Sequence, residues 1–160
     1  ICFLSFFNYQ NLVVEEMKAK PKSGNIVTED GEVLGKHNGL FNYTIGQRKG
    51  LGIAYKHPLY VIGFNGDRNE VIVGPNERLF TNRMICKFYN FLDDTIHKEL
   101  KAEGKIRYAA NPSSCTARIL DDDTMEVIFE EPQRAITPGQ SVAFYNGTQL
   151  LGGAVIDRVC

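Results

Sequence analysis

Cysteine is the residue in this chain best suited to covalent chemistry, and four are present, at positions 2, 86, 115 and 160. Their spacing contains no Cys-x-x-Cys pair, so it favours neither a zinc site nor a disulfide framework and fits a protein of the reducing cytoplasm. Cys86 and Cys115 fall within runs that alternate apolar and polar residues, which is typical of small buried side chains on strands. Cys2, beside Phe3, has the same default interpretation when taken alone, and Cys160 is expected at a frayed end.

The other residue types that commonly carry chemistry form no constellation. Three histidines are scattered singly, without a second metal ligand three or four residues away, so the sequence predicts no metal site. Nor does any pair of side chains supply the nucleophile and base needed for acyl transfer or general acid–base catalysis.

The run from Tyr43 to Gly52 is the least ordinary segment of the chain, with three glycines in seven residues next to Arg48 and Lys49. Glycine-rich backbone leaves N–H groups open to an anion, but the spacing is not that of a P-loop or a dinucleotide fingerprint. We therefore expect no ATP or other nucleotide cofactor to bind here. The residues themselves leave a structural turn and a phosphate-facing loop equally open.

Charge gives little support to nucleic-acid binding, because the formal net charge is −1. Basic residues cluster only locally, as at Lys98, Lys101, Lys105 and Arg107, and solvated faces are the simpler explanation. Apolar and charged fractions of 43% and 23% are those of a globular protein. No apolar run is long enough to span a membrane.

Turn signals dominate the chain after a short amphipathic stripe over 8–20, which predicts a helix ended by Pro21. Asp30-Gly31 and Asn146-Gly147 predict hairpins between alternating runs, and 65–67 predicts a third. Further strands are expected at 83–91, 105–108, 115–120 and 125–129. Closely spaced strands of this kind predict a mainly antiparallel β protein that closes into a small barrel in its second half. The clearest break lies near 76–82. In the turn at 137–141, Pro138-Gly139 fits type II geometry and leaves Gln140 merely exposed.

Taken together and in order, these runs resemble the tRNA-specific 2-thiouridylase family over nearly the whole chain. The most specific of them are Tyr43 to Gly52 and the set Thr137 to Ser141, Phe144 to Gly147 and Leu151 to Gly153. The others are Ile1-Cys2-Phe3, Gly24 to Val27, Asp30-Gly31, Gly35 to His37, Gly39-Leu40, Tyr60-Val61, Ile106 to Tyr108 and Glu126 to Phe129.

The resemblance implies a C-terminal portion of such an enzyme, without the PP-loop domain that uses ATP and Mg²⁺. It implies a segment 1–22 with a catalytic cysteine and a linker helix, a central β-rich domain 23–82 and a β-barrel domain 83–160. Cys2 would carry a persulfide supplied by a sulfur-donor protein and form a transient disulfide with a cysteine of the ATP-using domain. Arg107, Tyr108 and Gln140 would contact tRNA. The enzyme would act in the cytoplasm, and we expect this chain by itself to be inactive.

Two other classes remain open: a noncatalytic RNA-binding β-barrel of the translation-factor type, and a β-rich protein-interaction module with an incidental cysteine. Selective persulfide formation at Cys2 would favour the thiouridylase over both. Binding of tRNA without it would favour the first alternative.

Overall fold

The computed structural model describes residues 21–93, 96 and 98–160. Cys2 and the predicted helix at 8–20 lie outside these residues. The chain divides into two compact units between Arg78 and Leu79. No helix in the described part is long and apolar enough to cross a bilayer.

The first unit is built on a four-stranded sheet in the order β2-β1-β4-β3. Its strands are β1 (Gly24–Thr28), β2 (Val33–His37), β3 (Tyr60–Asn65) and β4 (Glu70–Gly74). The predicted hairpins β1–β2 and β3–β4 are present, and both are antiparallel. Strands β1 and β4 pair in parallel instead. Parallel neighbours require a long crossover, and the segment 38–59 provides it, with a short 3-10 helix at Leu40–Asn42.

Apolar side chains on one face of this sheet form the core of the first unit. Three of these side chains have no surface exposed to solvent: Ile26 of β1, Val61 of β3 and Val71 of β4. Leu51 and Leu59 of the crossover complete the cluster. The crossover is thus held at two points by apolar contacts, so the loop between them has a defined position.

The second unit is a closed antiparallel barrel in the order β10-β5-β8-β7-β6-β9. Its strands are β5 (Phe80–Phe91), β6 (Glu99–Lys105), β7 (Ser113–Ile119), β8 (Thr124–Arg134), β9 (Ser141–Asn146) and β10 (Gln149–Val159). Large buried side chains fill the interior, among them Phe129, Phe144, Met84, Met125 and Ile156. The mainly β fold with a barrel in its second half is confirmed.

One predicted strand is wrong in a way that matters for the site. The sequence places a strand at 105–108, whereas β6 runs from Glu99 to Lys105 and the chain then turns. The true strand was missed because its inward positions carry Leu100, Ala102 and Gly104, a weak apolar signal. Space explains the glycine: a Cβ on Gly104 would lie only 2.8 Å from the ring of Phe129.

The frayed end expected at Cys160 is also wrong. Its backbone N–H donates to the carbonyl of Arg83 at 3.1 Å, and its carbonyl accepts a hydrogen bond from the Thr81 hydroxyl at 2.9 Å. These bonds hold the last residue to the start of β5.

Candidate functional site

Strand register brings two predicted site segments to one end of the barrel. Lys105, the last residue of β6, pairs with Ala143 near the start of antiparallel β9. The loop that follows β6 (106–112) and the loop that precedes β9 (135–140) therefore lie at the same end. We call these two loops the barrel rim; it holds Arg107, Tyr108 and Gln140.

Arg107 joins the loop after β6 to the end of β8, where the second loop begins. Its Nη2 donates a hydrogen bond to the carbonyl of Arg134, the last residue of β8. A turn closed by the Ala110 N–H on the Arg107 carbonyl, 3.1 Å, fixes the backbone, and buried Ile106 anchors it. A guanidinium has five N–H donors, so one bond to the protein leaves donors free to fork onto an anion such as a phosphate.

Tyr108 is the most exposed large aromatic residue of the described chain, with 85% of its surface open to solvent. Its only described ring contact is the Lys105 ammonium, 5.6 Å from the ring centroid. An aromatic ring left this open contributes almost nothing to the core. It offers a flat face on which an unpaired base can stack, next to a positive charge that favours a phosphate.

Gln140 is exposed on a turn whose backbone is firmly held. The Gly139 N–H donates to the Ile156 carbonyl at 2.8 Å, and the Ile156 N–H donates to the Gln140 carbonyl at 2.7 Å. The Gln140 N–H closes the turn on Thr137 at 3.2 Å. The backbone of 137–141 is structural, as the sequence indicates, and it presents the Gln140 amide to solvent.

The lysines grouped with Arg107 by sequence do not all reach the rim. The outward positions of β6 read Glu99, Lys101, Glu103 and Lys105, so charges of opposite sign alternate along this face. Lys101 lies about 13 Å along the strand from Lys105 at ~3.3 Å per residue. Of the three lysines, only Lys105 adds its charge to the barrel rim. Lys101 is therefore a useful control position.

Two cysteines within the barrel are poor candidates for catalysis. Cys86 and Cys115 are buried, as predicted. Burial raises the pKa of each thiol to about 12, so both stay protonated at neutral pH and are weak nucleophiles. The described residues contain no cluster of three or more His, Cys, Asp or Glu side chains that would hold a metal ion.

The glycine-rich run of the first unit forms a well-ordered loop. The Gly46 N–H donates to the Val61 carbonyl at 2.8 Å, and the Val61 N–H donates to the Gln47 carbonyl at 2.9 Å. These bonds attach the loop to the edge of β3. The loop and the residues after it border an open pocket of about 470 Å³, lined by Arg48 and residues 50–59. Sequence reasoning singled out the glycines but missed the Tyr55-Lys56-His57 run on the same wall.

Comparison with known proteins accounts for both units. The family described as "Aminomethyltransferase beta-barrel domain" matches residues 81–156, and the one described as "tRNA methyl transferase PRC-barrel domain" matches residues 11–75. The tRNA-specific 2-thiouridylase MnmA of Clostridioides difficile (strain 630) is 43% identical over 99% of this chain and 44% of its own length. That of Clostridium botulinum (strain Alaska E43 / Type E3) is 44% identical over the same shares.

The chain spans less than half the length of these curated relatives. A further relative, the tRNA-specific 2-thiouridylase MnmA 1 of Clostridium tetani (strain Massachusetts / E88), is 44% identical over 99% of the chain. Agreement of this kind extends across the sheet unit and the barrel unit alike. The chain belongs to the tRNA-specific 2-thiouridylase family.

Proposed function

We propose that this chain is the tRNA-holding and sulfur-carrying part of a tRNA 2-thiouridylase. The observation that carries the tRNA half of the proposal is the barrel rim. There, the Arg107–Arg134 hydrogen bond joins the loop after β6 to the end of β8, and Tyr108 and Gln140 are exposed on the same end of the barrel. The guanidinium of Arg107 can donate two hydrogen bonds to a phosphate, and the exposed ring of Tyr108 can stack on an unpaired base. The amide of Gln140 can hydrogen-bond to a sugar or a base edge.

The sulfur half of the proposal rests on Cys2, through the family resemblance. A uridine 2-oxygen leaves poorly, and adenylation by Mg²⁺-ATP in the ATP-using domain of the whole enzyme turns it into a leaving group. A persulfide on Cys2, loaded by a sulfur-donor protein, would present a terminal sulfur that is more acidic and more nucleophilic than a thiol.

That terminal sulfur forms a bond to C2 of the base as AMP departs. A second cysteine, in the ATP-using domain, then attacks the Cys2 sulfur, which breaks the S–S bond and leaves the transferred sulfur on the base. The products are 2-thiouridine at the wobble position and a Cys2 disulfide, which a cellular thiol reductant reopens. This chemistry belongs to the cytoplasm, where such reductants are present.

Substitutions at the barrel rim test the tRNA half. We expect Tyr108→Ala to weaken tRNA binding by roughly 1–3 kcal/mol, the value of an aromatic–base stack. Arg107→Ala should reduce the slope of log affinity against log salt by about 0.7–0.9, one phosphate's share. Fluorescence anisotropy with labelled tRNA, repeated over a series of low salt concentrations, measures both effects.

Lys101→Ala is the matched control for these variants, since it removes one exposed positive charge from the barrel without touching the rim. It should bind tRNA nearly as the parent does. Tyr108 is so exposed that its replacement should leave thermal stability unchanged, which separates lost binding from unfolding. Parental affinity in both rim variants would show that the tRNA surface lies elsewhere.

A further inference from the structure

The cavity of the first unit, the loop pocket (Arg48 and residues 50–59), is not part of the barrel rim. We propose that it is a second RNA-binding site, which takes a backbone phosphate between Arg48 and Lys56. The choice of RNA as ligand rests on the proposed function. The site itself rests on the charge, backbone and shape of the pocket.

The loop pocket holds positive charge that no carboxylate of its lining compensates. Arg48 and Lys56 both line the pocket and both are exposed. Neither forms a salt bridge with a carboxylate of the described residues, and the lining includes no Asp or Glu. Two cations that share a concave wall without an internal anion attract an external one.

Acidic residues do lie nearby, but in a different depression. Glu29, Asp30 and Glu32 line a separate cavity of about 180 Å³ that shares Tyr55 and His57 with the loop pocket. Glu29 is already engaged in an ion pair with Arg78. Tyr55, His57 and Leu59 line both depressions, whereas the acidic residues line only one and Arg48 and Lys56 line only the other.

The backbone of the pocket is open, and hydrogen bonds hold the turn that precedes it. Gly50 and Gly52 have φ values of +77° and +66°, a region that side chains disfavour, and the position where Gly52 would carry a Cβ has nothing within 4 Å. An anion can thus approach the main chain closely. Gln47 fixes the adjoining turn, because its Oε1 accepts the Thr44 N–H at 3.0 Å and its Nε2 donates to the Lys49 carbonyl at 2.9 Å. A preformed loop loses little entropy on binding.

Size and aromatic content favour a nucleotide unit over a bare anion. A cavity of about 470 Å³ falls in the range of small-ligand sites, roughly 300–1,000 Å³. Tyr55 is 37% exposed, and its ring contacts that of His57 edge-on, with ring centroids 4.9 Å apart. Such a ring gives a sugar or base an apolar wall beside the cations that hold the phosphate, which an acidic peptide would not use.

The test is an NMR titration of the ¹⁵N-labelled full chain with a short single-stranded oligouridylate. We expect the Gly50 and Gly52 amide signals to shift in a saturable manner, and the shifts to disappear in Arg48→Ala/Lys56→Ala. The same double variant should bind tRNA about tenfold more weakly or worse. Lys36→Ala/Arg68→Ala removes the same charge from exposed positions of the first unit outside the pocket, and should keep both the shifts and the affinity.

The Tyr108 and Gln140 amides, followed in the same spectra, separate this proposal from the barrel-rim proposal. Movement of the rim signals without Gly50 and Gly52 overturns the loop pocket and leaves the rim intact. Shifts of the Gly50 and Gly52 signals alone support the loop pocket and count against the barrel rim. If neither the pocket signals nor the rim signals shift, both proposals are overturned. Equal shifts from a polyglutamate peptide of matched charge would make the pocket a general anion or peptide site and overturn the RNA assignment.

Discussion

At about pH 8, iodoacetamide should modify Cys160 at least a thousand times faster than Cys86 or Cys115 in the folded chain. Only the thiolate reacts, and burial raises the pKa of both barrel thiols from 9.0 to about 12, helped at Cys86 by the negative charge of Asp157. That shift alone lowers the thiolate fraction roughly a thousandfold. Exclusion of the reagent lowers the rate further, since Cys86 has no exposed surface. Mass spectrometry of peptides from a timed reaction measures each site.

Cys160 is the internal reference, because it is exposed and carries no disulfide. In concentrated guanidinium all four cysteines should be modified at similar rates, which shows that the fold causes the difference. Native-state reaction of Cys86 within tenfold of Cys160 would contradict the buried assignment.

The same shifts predict how stability depends on pH. The unfolded chain releases these thiol protons near 9.0, whereas the folded chain holds them to about 12. The contribution to folding is therefore complete below about pH 9 and is lost as the pH rises toward 12. Between about pH 8 and pH 10, each thiol should cost the folded state roughly 1 kcal/mol. Cys86→Ala/Cys115→Ala, although less stable, should show a weaker decrease in urea unfolding midpoint over that interval.

The sequence predicted the hairpins of this fold correctly because their turns are determined by local residues. Asp30-Gly31 and Asn146-Gly147 mark their hairpins correctly because the preference of such pairs for the turn backbone does not depend on distant residues. Strand β6 was missed because two of its three inward residues, Ala102 and Gly104, are small, and at Gly104 a neighbouring strand is the cause. The ring of Phe129 fills the space beside Gly104, and no local pattern contains that fact.

The candidate sites likewise combine features that local sequence predicts with features that depend on long-range strand pairing. The Pro-Gly turn predicted an exposed Gln140, and the structure has one. That Gln140 and Arg107 occupy one end of a barrel follows only from the pairing of β6 with β9. The loop pocket likewise depends on which glycines, cations and rings face one cavity. Sequence supplied the residue types, and the long-range pairing of strands supplied their arrangement.

His37 shows most clearly that a side chain's role depends on residues distant in sequence. It is a buried histidine and has no chemical role in the described site. Only 1% of its surface is exposed. The Gly39 N–H donates to its Nδ1 at 3.0 Å, so Nδ1 carries no proton. Its Nε2 lies 3.0 Å from the Asn69 carbonyl, which can only accept, so Nε2 carries one. The ring is therefore a neutral tautomer that links the end of β2 to the β3–β4 turn.

Asn69 extends the link to the start of β1. Its backbone is left-handed, with a φ of 54°, and its Nδ2 donates to the carbonyls of Lys22 at 3.2 Å and Ser23 at 2.9 Å. Gly24 is required at this point, because a Cβ there would lie 1.9 Å from the Asn69 carbonyl oxygen. These contacts hold β1 in register with β4, where Asn25 pairs with Glu70.

Replacing His37 with leucine should therefore destabilise the first unit by about 2–4 kcal/mol. The change leaves the Gly39 N–H and the Asn69 carbonyl without partners, and each unsatisfied group costs roughly 1–3 kcal/mol, less for the part-buried carbonyl. Hydrogen exchange of β1 and β4 amides should accelerate about 30- to 900-fold, while barrel amides such as that of Val127 keep their protection. Asn38→Ala, at the exposed neighbouring position, should leave exchange within a few-fold of the parent. Unchanged protection at Val27 and Val71 in His37→Leu would mean that these hydrogen bonds do not hold the sheet together.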